Sequence, residues 1–437
     1  MKPRNSLFGG VPHQRRGGYL KKGVAFMKYV LVIGDGMADD PITELGGKTP
    51  LHFASTPAMD AAASCGVIGN VLTIPQGLPA GSDTAILSIF GCDPRVCYSG
   101  RAPLEAAATG ISLSSGDIAY RCNMVSYEDG NMPLDNKKLL SHSAGSIEGE
   151  LSAKLVGELF DTPIFREAAA VAGMSIYPAQ SFRHIAVQKA ASIEGIVLIP
   201  PHDNLGRKVG ELLPSGCDNA VVLERLMRVA HDVLDEHPIN AKRRLEGKLP
   251  ANGIWFWAEG TAIELPSFME KYSKSGSVIS AVPLCQGIGA LMGLRIIHVD
   301  GATGLLETNY EGKVDAAVNV LKTDDFVAIH IEAPDECSHD GDLGAKLQAI
   351  ERIDSRIIAP LVERLKKSGD DFRMLVISDH RTLISTRGHD GGPVPYLIFD
   401  SRHDNGAKVG YCENDAETGL VIAAGTELMG TLFEDSI

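Results

Sequence analysis

Three apolar runs in this 437-residue chain each end in an aspartate, and they constrain the fold more than any other feature of the sequence. They cover residues 29–35 (YVLVIGD), 326–335 (FVAIHIEAPD) and 374–379 (MLVISD). Because apolar residues are continuous in them rather than alternating, the runs are predicted to be strands covered on both faces of a parallel sheet. Helical spacing of apolar residues over 347–365, just before the sequence KKSG, predicts helices on that sheet. The predicted fold class is α/β, with a mostly parallel sheet flanked by helices.

The positions of these runs also predict how the chain is divided. The first run lies near the start and the other two in the last third, so we expect a discontinuous domain made of residues 27–114 and 276–437. Residues 115–275 contain further predicted strands at 118–125, 185–188 and 196–199 and a predicted helix at 220–234. They are predicted to form a second, inserted α/β domain that caps the first. Residues 1–26, which are rich in Lys and Arg and lack Asp and Glu, are predicted to be a disordered basic extension.

The composition excludes several classes of protein. With 44% hydrophobic and 22% charged residues the chain is typical of a soluble globular protein, and its net charge of −14 disfavours non-specific binding to nucleic acid or to an anionic membrane. We find no apolar run that would make a spanning helix. The eight cysteines form no C-x-x-C pair and are predicted to be free thiols of a reducing compartment. A cytoplasmic enzyme with a small substrate is therefore expected.

The ends of the predicted strands bring together residues that bind metals. Ligand sites in open α/β sheets lie at the carboxyl edge of the strands, where the three terminal aspartates would meet. Three histidines follow them closely in sequence. Alone, each aspartate could be a helix N-cap and each histidine a partly buried core residue. Together they are enough for two divalent ions of the Mn²⁺, Zn²⁺ or Mg²⁺ kind. The six residues are Asp35, Asp335, His339, Asp379, His380 and His389.

Ser82 is the candidate nucleophile. It follows a turn-rich segment (PQGLPA, 75–80) and precedes an apolar run at 85–90, so it is predicted to begin a helix. A plain N-cap is the ordinary role of such a serine. Beside metal ions, the same hydroxyl could become a ligand and attack a phosphoryl group at the helix N-terminus.

Nine ordered motifs carry a resemblance to a known family. The sequence is similar to the archaeal-type branch of the cofactor-independent phosphoglycerate mutases, which also contains proposed homoserine kinases and lies in the alkaline phosphatase superfamily. The resemblance extends from residue 27 to about 400. Its motifs are GDGM (34–37), GSDTA (81–85), YSGRAPLEA (98–106), PPHD (200–203), GATG (301–304), TNYEGK (308–313), EAPDE (332–336), SDH (378–380) and PVP (393–395).

The resemblance implies a phosphatase-like metal domain with an inserted transferase domain. It also implies that Ser82 becomes phosphoserine while 3-phosphoglycerate and 2-phosphoglycerate are interconverted without 2,3-bisphosphoglycerate. No organic cofactor is implied. One metal ion would be held by Asp35, Ser82, Asp379 and His380, and the other by Asp335, His339 and His389.

Arginines of the inserted domain are the expected clamps for the carboxylate and phosphate of a small anionic substrate, because a guanidinium offers paired donors. Solvated surface arginines are the competing interpretation. The candidates are Arg121, Arg183, Arg243 and Arg244, with Arg101 as a weaker one on the metal side.

Three residues depart from the family pattern. Gln286 stands where we expect a lysine, Ile86 where we expect a polar residue, and Arg381 where we expect a proline. Loss of a fixed positive charge predicts weak mutase activity and a gain on Gln286→Lys, unless Arg381 replaces the charge. Two further functions stay open: a phosphotransferase of the homoserine kinase type, for which we find no familiar nucleotide motif, and a metal-dependent phosphatase. A metal-binding relative without catalytic activity is the third alternative.

Overall fold

The computed structural model describes residues 27–179, 181–403, 406 and 409–434, and the extension predicted for residues 1–26 lies outside them. The strands are β1 (Lys28–Gly34), β2 (Val67–Val71), β3 (Ile118–Tyr127), β4 (Leu139–Ser141), β5 (Met174–Tyr177), β6 (Arg183–Gln188), β7 (Gly253–Thr261), β8 (Gly276–Ile279), β9 (Arg295–Ile297), β10 (Phe326–Ile331), β11 (Phe372–Ile377), β12 (Arg381–Leu383), β13 (Gly388–Asp390), β14 (Val394–Asp400) and β15 (Leu420–Ile422).

The α-helices are α1 (Pro50–Phe53), α2 (Pro57–Cys65), α3 (Ser82–Ile89), α4 (Pro94–Cys97), α5 (Arg101–Ala108), α6 (Gly149–Asp161), α7 (Pro163–Ala172), α8 (Asp218–Asp235), α9 (Pro238–Leu245), α10 (Phe268–Tyr272), α11 (Pro283–Leu291), α12 (Tyr310–Val320), α13 (Ala333–Asp340), α14 (Leu343–Ile353), α15 (Ala359–Ser368), α16 (Glu413–Ala416) and α17 (Leu428–Phe433). Short 3₁₀ segments cover Thr43–Leu45, Leu134–Asn136, His202–Asn204, Val209–Glu211 and Gly425–Glu427, and a π-helical segment covers Asp354–Ile358.

The larger sheet has eight strands in the order β15-β2-β14-β11-β1-β10-β8-β9. Strand β1 pairs in parallel with β10 and β11, and β8 pairs in parallel with β10 and β9. Only β14 runs antiparallel to its neighbours, β11 and β2. The predicted α/β fold with a mostly parallel sheet is confirmed.

Both faces of the larger sheet are covered, as the continuous apolar runs predict. In β1, Val30 and Val32 lie in one buried cluster, while Leu31 and Ile33 lie in another on the opposite face. None of these four side chains has any exposed surface. Burying each of them contributes about 1.5–3 kcal/mol, which makes this strand one of the main sources of stability of the sheet.

The predicted helical segment at 347–365 consists of α14 and α15, joined by the π-helical turn. The Asp342 side chain accepts a hydrogen bond from the Ala345 amide at the start of α14. Gly369 ends α15 with φ 82°, a left-handed conformation that glycine adopts without steric cost. The helical spacing over 347–365 and the helix end at the sequence KKSG are therefore confirmed.

The smaller sheet is antiparallel, with the order β4-β3-β6-β5. Strand β7 also pairs with β3, at the edge opposite β6. The predicted strands at 118–125 and 185–188 and the predicted helix at 220–234 are present as β3, β6 and α8. The strand predicted at 196–199 is wrong. Val197 makes one isolated bridge, to Ser215, because the run is short and Pro200 and Pro201 follow it directly.

Strands of the smaller sheet all come from residues 118–261, and strands of the larger sheet come from both sides of that range. After β7 the chain returns to the larger sheet: the Phe268 ring of α10 stacks on Phe326 of β10, with ring centroids 4.8 Å apart. The exact domain boundaries at 114/115 and 275/276 stay a prediction.

Among the described residues, no two of the eight cysteines are joined in a disulfide. Among the residues that the structure describes, no helix combines the length and the apolar character that are needed to cross a bilayer.

Candidate active site

The carboxyl edge of the larger sheet gathers the predicted metal ligands. Two groups there offer ligand atoms within 4.8 Å of one another. One group is Asp35, Asp379 and His380, and the other is Asp335, His380 and His389. The aspartates follow β1, β10 and β11, which are neighbours in the sheet, so the parallel register itself brings them together.

In the first group, His380 Nε2 lies 3.5 Å from Asp35 Oδ1 and 3.4 Å from Asp379 Oδ2. These two carboxylate oxygens are fully buried and lack a hydrogen-bond partner. Burial, and then the nearby charges of Asp379 and Asp335, raise the pKa of Asp35 well above its usual range. Buried carboxylates that repel each other and have free lone pairs require a cation or a proton between them.

His339 lies beside the second group without belonging to it: it occupies the turn of α13 that follows Asp335, and its Nε2 lies 3.2 Å from Asp335 Oδ2. His389 Nε2 lies 2.9 Å from His339 Nε2 and 3.4 Å from Asp335 Oδ1. Although burial alone raises the pKa of Asp335, hydrogen bonds from His339 and His389 lower it well below its usual range. The Asp335 hydrogen bond raises the pKa of His339 to about 9.

Gly36 and Thr382 hold the two groups together. The Gly36 amide donates to Asp379 Oδ1 at 3.1 Å, and a Cβ at position 36 would lie 2.5 Å from Thr382 Oγ1 and 2.8 Å from Asp335 Oδ1. Only glycine therefore fits between the aspartates. Thr382 Oγ1 donates to Asp335 Oδ1 at 2.6 Å and lies 3.1 Å from His380 Nδ1.

Ser82 is the first residue of α3, as predicted, and its side chain faces the first group. Its Oγ lies 3.1 Å from His380 Nε2 and 3.4 Å from Asp35 Oδ2. The neighbouring Asp83 accepts a 2.5 Å hydrogen bond from the Tyr98 hydroxyl, which ties the start of α3 to the segment before α5. The backbone N–H groups of the first turn of α3 favour negative charge near the serine.

These residues fit divalent metal ions. Carboxylate oxygens and imidazole nitrogens are ligands that Mn²⁺ and Zn²⁺ accept, and the partnerless oxygens of Asp35 and Asp379 are the kind of atom that a cation would satisfy. A cation bound by both imidazoles would also account for the 2.9 Å between the Nε2 atoms of His339 and His389, because no proton is then needed between the two nitrogens.

A cavity of about 780 Å³ lies over Ser82 and separates the larger sheet from the smaller one. On the smaller sheet it is lined by Arg121 and Asn123 of β3, Arg183 of β6 and Trp257 of β7. Alternate residues of a strand face opposite sides, so Tyr120, Cys122 and Met124 of β3 pack in the core behind.

Of the predicted clamps, the structure brings Arg121 and Arg183 to the cavity, together with Arg101. Arg121 forms a bidentate pair with Glu105 and lies over the Trp257 ring, 4.8 Å from its centroid. The Nε atoms of Arg101 and Arg183 are buried without a hydrogen-bond partner. Burial, and then the charge of Arg121, lower the pKa of Arg183 to about 10.

Arg243 and Arg244 are not among the residues that line this cavity. The Arg243 guanidinium is buried and donates to the backbone oxygens of Ala144 and Leu249. Arg244 pairs with Asp129 and Asp235 near the surface. Both arginines therefore stabilise the part of the chain that contains the smaller sheet. The sequence around them carries no signal that separates this structural role from substrate binding.

The residues that depart from the family pattern also lie outside the cavity lining. The Gln286 amide donates to the Ser280 backbone oxygen at 2.7 Å. Ile86 is fully buried in the core under α3. Arg381 pairs with Asp40 and Asp390. The weak activity and the gain on Gln286→Lys stay predictions.

His330 and Glu332 are among the residues of the site that were not identified from the sequence. His330 of β10 is buried and its Nε2 lies 2.9 Å from Asp35 Oδ2. Glu332 lines the cavity, and burial, followed by the charges of Glu336 and Asp335, raises its pKa to about 8. A histidine within an otherwise apolar strand was a signal that could have identified His330, because a buried imidazole needs a polar partner.

Comparisons with known proteins identify the family to which the chain belongs. The family model described as 2,3-bisphosphoglycerate-independent phosphoglycerate mutase matches residues 63–240. A protein of that name from Methanosarcina barkeri is 46% identical over 408 residues, which are 93% of this chain and 99% of the relative. A probable mutase from Geobacter sulfurreducens is 43% identical, over 93% of this chain and all of the relative.

Two solved structures share the fold. One is a protein from Pyrococcus horikoshii, with a TM-score of 0.75 and 31% identity over 94% of this chain and 97% of that one. The other is the cofactor-independent phosphoglycerate mutase from Thermoplasma acidophilum, with a TM-score of 0.63 and 25% identity over 93% of this chain and 98% of that one. The fold and the site residues define an α/β protein in which Asp and His residues near strand ends lie beside a serine that begins a helix and lines a cavity. The chain belongs to the family of 2,3-bisphosphoglycerate-independent phosphoglycerate mutases.

Proposed function

We propose that this protein interconverts 3-phosphoglycerate and 2-phosphoglycerate, without 2,3-bisphosphoglycerate, through a phosphoserine on Ser82. The observation that carries the proposal is the position of Ser82, whose hydroxyl contacts His380 and Asp35 and also lines the large cavity. Near full-length identity of 46% to a mutase supports the same reaction.

The proposed metal ligands are those expected from the resemblance. Asp35, Ser82, Asp379 and His380 would hold one divalent ion, and Asp335, His339 and His389 the other. When bound, such ions neutralise phosphoryl oxygens and the developing charge of the attacking and leaving oxygens. The partnerless oxygens of Asp35 and Asp379 support this assignment.

Two transfers at Ser82 would complete the reaction. In the first, the bond from phosphorus to Ser82 Oγ forms while the bond to one glycerate oxygen breaks, and the proton of the serine ends on the released glycerate hydroxyl. After glycerate turns within the cavity, its other hydroxyl takes the phosphoryl group back and the proton returns to Ser82. Exclusion of water protects the phosphoserine between the two steps.

Arginines that line the cavity would hold the anionic groups of the substrate during this exchange. Arg183 and Arg101 have partnerless buried Nε atoms on the cavity, and a guanidinium binds a carboxylate or phosphate through paired donors. Arg121 is already paired with Glu105, so it would contribute less free charge. We therefore propose residues 115–275 as a substrate-binding cap over a metal domain of residues 27–114 and 276–437, in a cytoplasmic enzyme.

Phosphorus NMR of 3-phosphoglycerate incubated with the purified protein tests the proposal. The protein is first treated with a chelator and then supplied with Mn²⁺, Zn²⁺ or Mg²⁺ in separate samples, without 2,3-bisphosphoglycerate. We expect a mixture of the two phosphoglycerates to form only in the presence of metal. Free phosphate as the main product would identify a phosphatase instead, and phosphohomoserine from homoserine and a nucleotide would identify a kinase.

A further inference from the structure

His330 is a buried polar side chain of the site that the proposed mechanism does not use. It is 1% exposed, and both of its ring nitrogens have partners. Nε2 lies 2.9 Å from Asp35 Oδ2, and Nδ1 lies 3.1 Å from Ser280 Oγ. The imidazole thus connects a proposed metal ligand to a serine that is itself 4% exposed.

Strand register explains why these residues meet. In the parallel pairing of β1 with β10, Ile33 is opposite His330, so both face the same side of the sheet as Asp35, two residues beyond Ile33. In the pairing of β10 with β8, Ile329 is opposite Ile279, which puts Ser280 beside His330. Asp35, His330 and Ser280 therefore form a row across three neighbouring strands.

An Asp35 that binds a metal ion is ionised, and in that charge state the hydrogen bonds of this row fit one arrangement of protons. An ionised Asp35 only accepts, so His330 Nε2 must donate to its Oδ2. Nδ1 is then an acceptor, and the Ser280 hydroxyl donates to it. Ser280 Oγ in turn accepts from the Val282 amide at 3.0 Å. The serine thus selects the imidazole tautomer that carries its proton on the side of Asp35.

Gln286 holds the far end of the row. Its side-chain amide donates to the Ser280 backbone oxygen at 2.7 Å, inside the first turn and a half of α11. This contact anchors the serine while its hydroxyl serves His330. Gln286 therefore has a structural role, the anchoring of Ser280, at a position where the family pattern predicts a lysine.

We propose that His330 is a positioning residue, which holds Asp35 Oδ2 by an N–H donor and leaves Oδ1 as the oxygen that a divalent ion takes, with Ser280 setting the tautomer. This inference rests on the proposed function, because it assigns Asp35 to a metal site. Partners of this kind, which orient a ligand from behind, typically change metal affinity ten- to a hundredfold when they are replaced.

Metal titration of the chelator-treated protein by calorimetry tests the proposal, with Mn²⁺ as the probe. The informative pair is His330→Gln and His330→Asn. A glutamine amide can put its N–H near the place of Nε2, whereas the shorter asparagine reaches only the place of Nδ1. We expect His330→Asn to weaken binding at one of two sites about ten- to a hundredfold, and His330→Gln to stay within about threefold of the wild type.

Two further variants complete the set. Ser280→Ala leaves the imidazole in place but frees its tautomer, so binding at the same site should weaken several-fold, and this variant decides the case should His330→Asn fail to fold. His184→Gln is the matched control. His184 is another fully buried histidine bonded to a serine, with Nε2 2.8 Å from Ser152 Oγ, and it lies in β6 but is not itself among the residues that line the cavity. Its replacement should leave Mn²⁺ binding unchanged.

Each outcome supports or overturns the inference. Wild-type affinity in His330→Asn and Ser280→Ala, together with loss of a site in Asp35→Asn, would show that His330 does not position the ligand. Equal weakening in His330→Gln and His330→Asn, accompanied by earlier unfolding of the metal-free proteins, would show that the histidine only packs. Absence of any Mn²⁺ binding by the wild type would overturn the metal-dependent function itself.

Discussion

The two walls of the cavity differ in which charges they leave unpaired. On the side of the larger sheet, the buried atoms without partners include the carboxylate oxygens of Asp35 and Asp379, which lie beside the cavity-lining Ser82 but not on the lining itself. Two arginines that line the cavity have a buried Nε without a partner: Arg183 of the smaller sheet, and Arg101 at the start of α5, a helix that packs against both α11 and the smaller sheet. Leaving a buried charge without a partner is costly, so such atoms accumulate where a ligand supplies the partner. One wall therefore suits cations, and the other suits the anionic groups of a substrate.

The comparison also shows that similar residues have different functions on the two sides. Arginines of the smaller sheet either line the cavity, as Arg183 does, or hold backbone turns, as Arg243 does. Aspartates and histidines at the edge of the larger sheet converge on one place. The following predictions test this division, from the largest effect to the smallest.

Replacing Ser82 by alanine should remove the hydroxyl group that is proposed to take the phosphoryl group from the substrate. We expect turnover to fall at least about a thousandfold, as is usual for loss of a nucleophile. The fold should be preserved, because a hydroxyl at a helix start contributes little packing. Steady-state assay and the unfolding temperature measure the two effects. Turnover that survives in a folded Ser82→Ala protein would indicate that another group attacks.

Changing both Asp335 and His339 to alanine should abolish one metal site on the larger sheet. Two ligands from adjacent turns of α13 are lost together, so the protein purified without chelator should contain less metal than the wild type, and phosphoryl transfer should be lost with it. Elemental analysis gives the metal content per chain. A double variant with unchanged content would contradict the assignment of these residues.

Arg183 and Arg244 offer a direct comparison within the smaller sheet. Arg183→Ala removes a buried donor from the cavity, so we expect kcat/KM to fall roughly tenfold to a hundredfold, equivalent to hydrogen bonds with a charged group. Arg244→Ala breaks ion pairs outside the cavity lining and should change kcat/KM less than about twofold. Equal losses in both variants would show that the arginines act through stability and not through the substrate.

The smallest effect concerns the stability of the smaller sheet in acid. Burial lowers the pKa of His184 to about 4. In the unfolded chain the ordinary value is ~6.5, so the unfolded state binds more protons between these limits and stability falls as the pH falls through them. This histidine should account for up to roughly 3 kcal/mol of the loss. His184→Gln should remove that part of the pH dependence.

Tryptophan fluorescence can follow this unfolding selectively, because the chain has two tryptophans and both lie in β7 of the smaller sheet. Wild type and His184→Gln are compared at pH 7.5 and at about pH 5 by denaturant unfolding. The same acid dependence in both proteins would show that another group titrates.

Much of the fold could be predicted from the sequence, because it depends on local and periodic signals. Continuous apolar runs predicted strands buried on both faces, and the KKSG stop predicted the end of the α15 helix. The strand predicted at 196–199 failed, since a short β-branched run before two prolines has too few partners to form a ladder. The meeting of the strand-end aspartates could also be predicted, because parallel strands place their carboxyl ends at one edge. The start of α3 at Ser82 could be predicted from the turn-rich segment before it and the apolar run after it.

The remaining features depended on distant parts of the chain. The sequence by itself determined which residue types the site contains: aspartates at strand ends, histidines just after them and a serine at a helix start. Only the tertiary structure decided that Arg183 lies on the cavity while Arg243 holds the Ala144 turn. It also decided that His330, five residues before the end of one predicted run, meets Asp35 of another. The physical reason is that strand register and sheet order decide which buried polar groups become neighbours, whereas local propensity decides only that strands form.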